Sequence, residues 1–273
     1  MTLAPPSLLY LWPKRTLYFG AVYEPRELSQ AAATLLVSLG EPIRFVAKGM
    51  SAPVASNSIL LQAGVRVWAD SGNAMIANCY LDALGIDYHN LSALMTHQKG
   101  GAAWQLKEEA QYIEAFSSIY DQQQGSEDTW QVLDQLLMNN DLSAAYPVDA
   151  RVEEVLELIR RTVDDNLSVE ELADAVCLSV PRLVEVFKKQ TGIPIRRYRL
   201  WHRLYVTALR MGCGENLTEA ALAAGFTDSA HCSHTFRAML GMPPSQIFSP
   251  TNKMRIVTPQ THRDAPSMAC DVA

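Results

Sequence analysis

The sequence has no uninterrupted apolar run approaching the ~20 residues that a membrane-spanning helix needs. Its best candidate, Ala31 to Leu39, is short and ends at Gly40. No basic residue precedes the first apolar stretch: MTLAPPSLLYLWPKR puts Lys14 and Arg15 behind it, the reverse of an export signal. The five cysteines (Cys79, Cys177, Cys213, Cys232 and Cys270) are odd in number, scattered, and never in C-x-x-C spacing. That argues against zinc and redox sites and for reduced thiols. No H-x-H pair occurs, so the convergent ligands of a catalytic metal centre are missing. Excess positive charge is lacking too. The 23 basic and 29 acidic residues give −6, which taken whole speaks against nucleic acid as a partner. What remains is a 273-residue chain, 48% hydrophobic and 19% charged, within the range of ordinary globular proteins. These absences predict a cytoplasmic protein with no membrane segment, metal or cofactor.

Charge read by region changes the picture. Residues 1–145 hold 8 Lys/Arg and 14 Asp/Glu, whereas 146–273 hold 15 of each. Within 182–210, eight bases (Arg182, Lys188, Lys189, Arg196, Arg197, Arg199, Arg203, Arg210) meet one acid, Glu185. A solvated helical face and a phosphate-binding face both fit that excess.

The chain changes character near residue 103. Before it, LLYLW (8–12), TLYFGAVY (16–23), TLLVSL (34–39), IRFVA (43–47), SILLQAG (58–64), VRVWA (65–69) and MIANCYL (75–81) read as short strands. Asp70-Ser71-Gly72-Asn73 reads as a hairpin turn, and His89 and His97 fall in polar, loop-like sequence. Close-set short strands predict a small antiparallel barrel or sandwich. After residue 103, Leu106, Ala110, Ile113, Phe116 and Tyr120 form one helical stripe, and Trp130, Leu133, Leu136 and Leu137 another. This predicts a helical pair over about 104–138. Its stripes can pack on the same chain or on a second copy, and the pattern does not choose. Polar 139–149, with Pro147, reads as a linker, 150–250 as an all-helical domain, and 251–273 as a disordered tail.

The helical region repeats itself. Ala173-x-x-x-Cys177-Leu178 recurs as Ala221-x-x-x-Gly225-Phe226, and Leu183-x-x-x-Phe187 as Cys232-x-x-x-Phe236. Gly192-Ile193-Pro194 likewise recurs as Gly241-Met242-Pro243. Each copy reads as helix, turn, helix. Ser168 and Glu171 have capping-box spacing, the turn falls at Cys177 to Ser179, and Pro181 opens the second helix. In the second copy Thr218 is the expected cap of the first helix, and Thr227 and Asp228 cap the next. Between the copies, Pro194 to Gly212 reads as one helix with Tyr198, Trp201, Tyr205 and Ala208 in a stripe.

The run from SVEELADAVCLSV through GMPPSQIF, over about 150–250, resembles the AraC/XylS-type transcription regulators. Both copies, the intervening helix and the closing segment occur in the family's order. The strand-rich N-terminal half, with LLQAGVRVWADSG and ANCYLDALGIDYHNL, is similar to the cupin-like sensor domain often attached in that family. The resemblance implies a two-domain fold: residues 1–138 an all-β cupin-like barrel with its helical pair, and residues 150–250 an all-α domain with two helix-turn-helix motifs. It implies an activator that places two helices in successive major-groove segments of promoter DNA and works with RNA polymerase. Val67 stands where members frequently have a histidine, which weakens any metal-cupin reading.

By residue type and family position, Arg182, Glu185, Ser229, His231 and His234 are the base-reading candidates. An Arg182–Glu185 pair at i, i+3 is the structural alternative. Lys188, Lys189, Arg196, Arg197 and Arg237 are the phosphate candidates. Tyr10, Trp12, Tyr18, Arg44, Trp68 and Tyr80 are candidates for an effector pocket in the barrel, although strand aromatics more often form core. Two further readings stay open: an N-terminal domain that only dimerises, through helices 104–138, and a cupin enzyme with an appended interaction domain.

Overall fold

The computed structural model describes residues 7–21, 26–28, 30–138, 146–163, 165, 167–240, 244 and 254–259. Strands are numbered along the chain. A large sheet has the order β10 (Met95–Lys99), β11 (Ala102–Leu106), β7 (Ser58–Leu61), β4 (Thr34–Ser38), β9 (Met75–Tyr80), β2 (Thr16–Ala21), β1 (Leu8–Leu11), β12 (Arg255–Val257). A small sheet has the order β3 (Arg26–Leu28), β8 (Val67–Asp70), β5 (Ile43–Ala47), β6 (Val54–Ser56).

Both faces of the large sheet are covered, which is why β4 and β7 are buried at every position instead of alternating with polar residues. On one face Leu35, Val37, Leu60, Ala77 and Cys79 meet Phe116, Ile119, Leu133 and Leu137 of α2 (Glu109–Gln122) and α3 (Ser126–Met138). On the other face Leu36, Ile59 and Ile76 meet Ile43, Phe45, Val67 and Ala69 of the small sheet. The helical pair starts at Glu109, not near 104: Leu106 of the expected stripe ends strand β11, and Ala110 is exposed, while Tyr112, Phe116 and Ile119 form the buried side of α2.

The two sheets do not close into the barrel that the sequence predicts. The reason lies at Asp70–Asn73. β8 pairs with β3 and β5, while β9 pairs with β2 and β4, so this turn passes the chain between sheets and is not a hairpin. The histidines expected in loops lie in regular structure. His89 is on α1 (Ile86–Leu94), its ring 4.8 Å from that of Tyr146. His97 is on exposed β10, stacked on Trp104. α1 escaped the pattern because its inward residues include polar Asp87 and Asn90.

The C-terminal helices are α4 (Ala150–Arg161), α5 (Val169–Ala175), α6 (Val180–Thr191), α7 (Ile195–Gly212), α8 (Leu217–Ala223) and α9 (Ser229–Leu240). They share a core built on Val152, Leu156, Leu172, Leu183, Phe187, Tyr198, Ala221, Cys232 and Phe236. The 18 residues of α7 span roughly 27 Å at 1.5 Å per residue. The repeat's Gly241-Met242-Pro243 lies outside the described residues.

α7 also docks on the large sheet. Leu9, Leu11 and Tyr18, on the face that the small sheet leaves open, pack against Tyr205, Ala208 and Leu209. The Tyr80 ring lies 4.7 Å from that of Trp201. Residues 255–257, expected to be disordered, form strand β12 parallel to β1, with Leu8 opposite Arg255 and Tyr10 opposite Val257. Ile256 is an apolar residue able to pack on Leu9, Leu11, Ala208 and Leu209, and that burial orders the segment.

Candidate nucleic-acid interface and ligand cavity

The first motif follows from local chemistry. The Ser168 hydroxyl accepts from Glu171 N at 3.0 Å, and the Glu171 carboxylate accepts from Ser168 N at 2.6 Å, so the capping box starts α5. Leu172 and Ala173 are buried against α6, which turns Leu183, Val186 and Phe187 inward. Arg182, Glu185, Lys188 and Lys189 are left exposed on its outer side. Arg182 Nη1 donates to Glu185 Oε2 at 2.8 Å. Both side chains are more than half exposed, so this pair contributes little stability and opens at small cost to a competing partner.

The second motif repeats the plan with different caps. Asn216, not Thr218, caps α8: its side chain accepts from Glu219 N at 3.0 Å. Thr218 is the second residue of the helix, already past the cap position. Asp228 Oδ1 accepts from His231 N at 2.7 Å at the start of α9, and that contact, first among its causes, holds the Asp228 carboxyl below its usual range. Cys232 and Phe236 face inward, and His231, His234 and Arg237 are exposed. Ser229 is half-buried. The His231 ring stands edge-on to buried Phe226 at 5.3 Å, with Nδ1 3.3 Å from the Thr227 hydroxyl. Counting 49 residues from the first motif to the second, Arg182 corresponds to His231, Glu185 to His234 and Lys188 to Arg237. The same outward positions carry polar, hydrogen-bonding side chains in both copies.

The bases of α7 divide. Arg196 is exposed. Arg197 is half-buried, and desolvation, then the nearby Arg66 charge, lowers its proton affinity. Arg199 donates to the Leu167 carbonyl, and Arg210 Nη1 to Glu215 Oε1 at 2.7 Å. Much of the positive charge that the sequence concentrates here is thus used inside the fold.

A cavity of about 240 Å³ opens between the two halves. Ala31–Ala33 and Tyr80–Ala83 form one wall, Tyr198, Trp201, His202 and Tyr205 of α7 another, and Lys189–Ile193 at the end of α6 a third. Gln190 ties these walls together, donating to the Leu84 carbonyl at 2.8 Å and accepting from Asp149 N at 3.3 Å. Burial pushes His202 down to about 4, although a hydrogen bond to the Arg160 backbone opposes it. His202 is neutral at pH 7, 8% exposed, and its buried Nε2 finds no hydrogen-bond partner among the described residues. Burial, then the Asp87 charge, raises the Asp82 carboxyl. Arg15 lies at the cavity rim and is 6% exposed. It holds both oxygens of Asp87 at 2.7 Å and Asp134 at 3.0 Å, and its guanidinium lies 4.7 Å from the Trp130 ring.

The effector-pocket candidates do not come together. Trp12 and Tyr80 line the cavity. Tyr10 is core, stacked on Trp12, with its hydroxyl donating to the Gln124 carbonyl at 2.9 Å. Tyr18 lines a smaller cleft beside α7. Arg44 and Trp68 are exposed on the small sheet, with Arg44 2.5 Å from Asp70. The barrel site fails because the interior between the sheets is filled by Leu36, Phe45, Ile59 and Ala69. Among the described residues no group of three or more His, Cys, Asp or Glu side chains is placed to hold a metal ion.

Residues 172–249 match the model of the helix-turn-helix domain family. The chain is 29% identical over 122 residues to the arabinose operon regulatory protein of Escherichia coli K12. It is 30% identical over 118 residues to the transcriptional activator RhaS of Escherichia fergusonii. These matches span 42–43% of this chain and 42% of each relative, less than half of either protein. Among solved structures, apo ToxT from Vibrio cholerae strain SCE256 gives a TM-score of 0.60 at 11% identity, covering 88% of this chain and 98% of that one. Unsaturated fatty acid bound ToxT from the same strain gives 0.56 at 14% identity, covering 86% and 94%. At those identities the likeness establishes the fold: a β-rich domain followed by a helical one.

Proposed function

We propose, from a C-terminal region that is an AraC-type helix-turn-helix domain, that this chain is a sequence-specific DNA-binding transcription regulator. The observation that carries it is the correspondence of outward residues between α6 and α9: two helices on one rigid unit present hydrogen-bonding side chains at the same positions. Arg182, Glu185, Ser229, His231 and His234 read base edges. Lys188, Lys189, Arg196, Arg197 and Arg237 meet phosphates. The Arg182–Glu185 pair opens on binding, freeing the guanidinium for guanine and the carboxylate for cytosine. Activation, the role in the name of RhaS, is the expected outcome; promoter DNA and RNA polymerase as partners, in the cytoplasm, complete the proposal.

Regulation by a small effector is supported by the interdomain cavity, and one solved relative of the fold carries a fatty acid. An occupant would touch the last turn of α6 and the ring-bearing side of α7 at once. It can bias the DNA-reading unit only through unequal affinity for the free and DNA-bound arrangements. The cavity wall supplied by the C-terminal half favours this over a domain that only dimerises. Dimerisation through 104–138 would have to use outer faces of α2 and α3, since Phe116, Ile119, Leu133 and Leu137 are buried against the large sheet.

The test is selection from a random duplex library by the full chain at two salt concentrations. Two short conserved segments about one helical turn apart are expected. Arg182→Ala or His231→Ala relaxes preference at single positions, whereas Lys188→Ala weakens all sequences alike and flattens the salt dependence. A uniform loss in all three would sink the role assignment, and no enrichment under any salt would sink the DNA reading.

A further inference from the structure

Val184 is an apolar side chain on the outer side of α6 that the described residues leave 43% exposed. Its neighbours in sequence show what the position is for. Leu183, Val186 and Phe187 build the core, so the helix is already anchored without it. At about 100° per residue, Glu185 and Lys188 lie near the middle of the outer face, Arg182 on one shoulder and Val184 on the other. A β-branched residue at an exposed helix site has a lower helix propensity than Ala, Lys or Glu, and it adds nothing to solubility. Neither folding nor hydration selects valine there.

We propose, resting on the DNA-binding reading above, that Val184 recognises the C5-methyl group of a single thymine in the first half-site. It is the fifth residue of α6, within the first turns that a groove-bound helix presents to base edges. In the major groove the thymine methyl is the one apolar feature of the four base-pair patterns. Lys188, one turn on, neighbours Val184, and with Arg182 and Lys189 elsewhere on the outer face it draws the helix towards a polyanion and makes an apolar protein partner the poorer fit. In the second copy the corresponding residue, 49 positions on, is half-buried Ser233. Methyl recognition therefore belongs to one half-site, and the two half-sites differ in kind: a guanidinium and a methyl contact in the first, imidazoles in the second.

The experiment uses the full chain and the duplex it selects from a random library, with each thymine replaced in turn by uracil, which removes only the methyl. Wild type is expected to lose about three- to fivefold in affinity at one thymine of the first half-site, the worth of one buried methyl. Val184→Ala should bind the parent duplex about three- to fivefold more weakly and be indifferent to uracil at that position. Val184→Thr, which keeps one methyl, should retain part of the discrimination. Unchanged thermal unfolding of both variants separates lost contact from lost fold. If Val184→Ala keeps the wild-type penalty at every uracil, the assignment is overturned while the DNA reading stands. If the full chain selects no duplex at all, both fall.

Discussion

Cys177 and Gly225 occupy the same place in the two motifs, at the turn between helices, with φ of +53° and +80°. A side chain at positive φ is strained, and only the second copy uses glycine to avoid it. Cys177→Gly is expected to raise stability by about 0.5–1 kcal/mol in urea unfolding, the αL penalty less the added chain entropy. Gly225→Ala should go the other way by roughly 1–3 kcal/mol. A Cβ there would sit 2.8 Å from the Val163 carbonyl oxygen. His202 gives a pH signature. Its folded value, about 4, lies below that of a free histidine, so the unfolded chain takes up the proton first. The stability its burial allows is present above about pH 6.5 and is lost as pH falls towards 4, on the order of 2–3 kcal/mol. His202→Gln should flatten that part of the urea-midpoint profile between pH 7 and 4.5. An unaltered profile would mean that His202 takes its proton in the folded state.

At the scale of elements, Ser168→Ala removes one arm of the α5 cap and is expected to cost about 1 kcal/mol, again by urea unfolding. The helix-turn-helix units were legible in the sequence because their signals are local: a capping box, a turn glycine, a proline in the first turn, a three–four stripe. Buried strands such as Ile43–Ala47 are legible, but β7 stops at Leu61, three residues short of the apolar run, and β11 (Ala102–Leu106) falls where a helical period is expected. Partners were not legible. β10 reads MTHQK and is exposed along most of its length, so it carries no alternation. β3 and β6 are three residues long, too short for any period to register. Val184 carries no polar group, so residue type alone does not mark it, and only its place on the α6 wheel does. The cavity needed Tyr198, Trp201 and Tyr205, which the sequence shows as a stripe, to meet Tyr80 and Ala31–Ala33, and no local signal states that encounter.

At the scale of the whole molecule, one helix serves three neighbours. α7 supports α6 and α9, closes the cavity and lies on the open half of the large sheet. Arg15 plays a comparable part in the first half, joining the β1–β2 turn to α1 and α3 through Asp87 and Asp134. Arg15→Leu leaves the Asp87 carboxylate buried without its partner and should cost roughly 3–5 kcal/mol. Arg15→Lys should recover little, since an ammonium cannot hold both oxygens of Asp87 as the planar guanidinium does. Thermal unfolding of both variants decides between a bidentate requirement and a simple need for charge.

The parallel pairing of β1 with β12 joins segments far apart in sequence, Leu8 with Arg255. During synthesis β12 follows every other strand and helix described. For most of translation the growing sheet shows a bare edge, the usual template for unwanted pairing between chains. That seam stays open until β12 is made, and a chain cut before it never closes it. Such chains are expected to gather in inclusion bodies even though α4 to α9 have all been made, a difference that soluble yield from stop codons placed at 254 and at 260 would reveal.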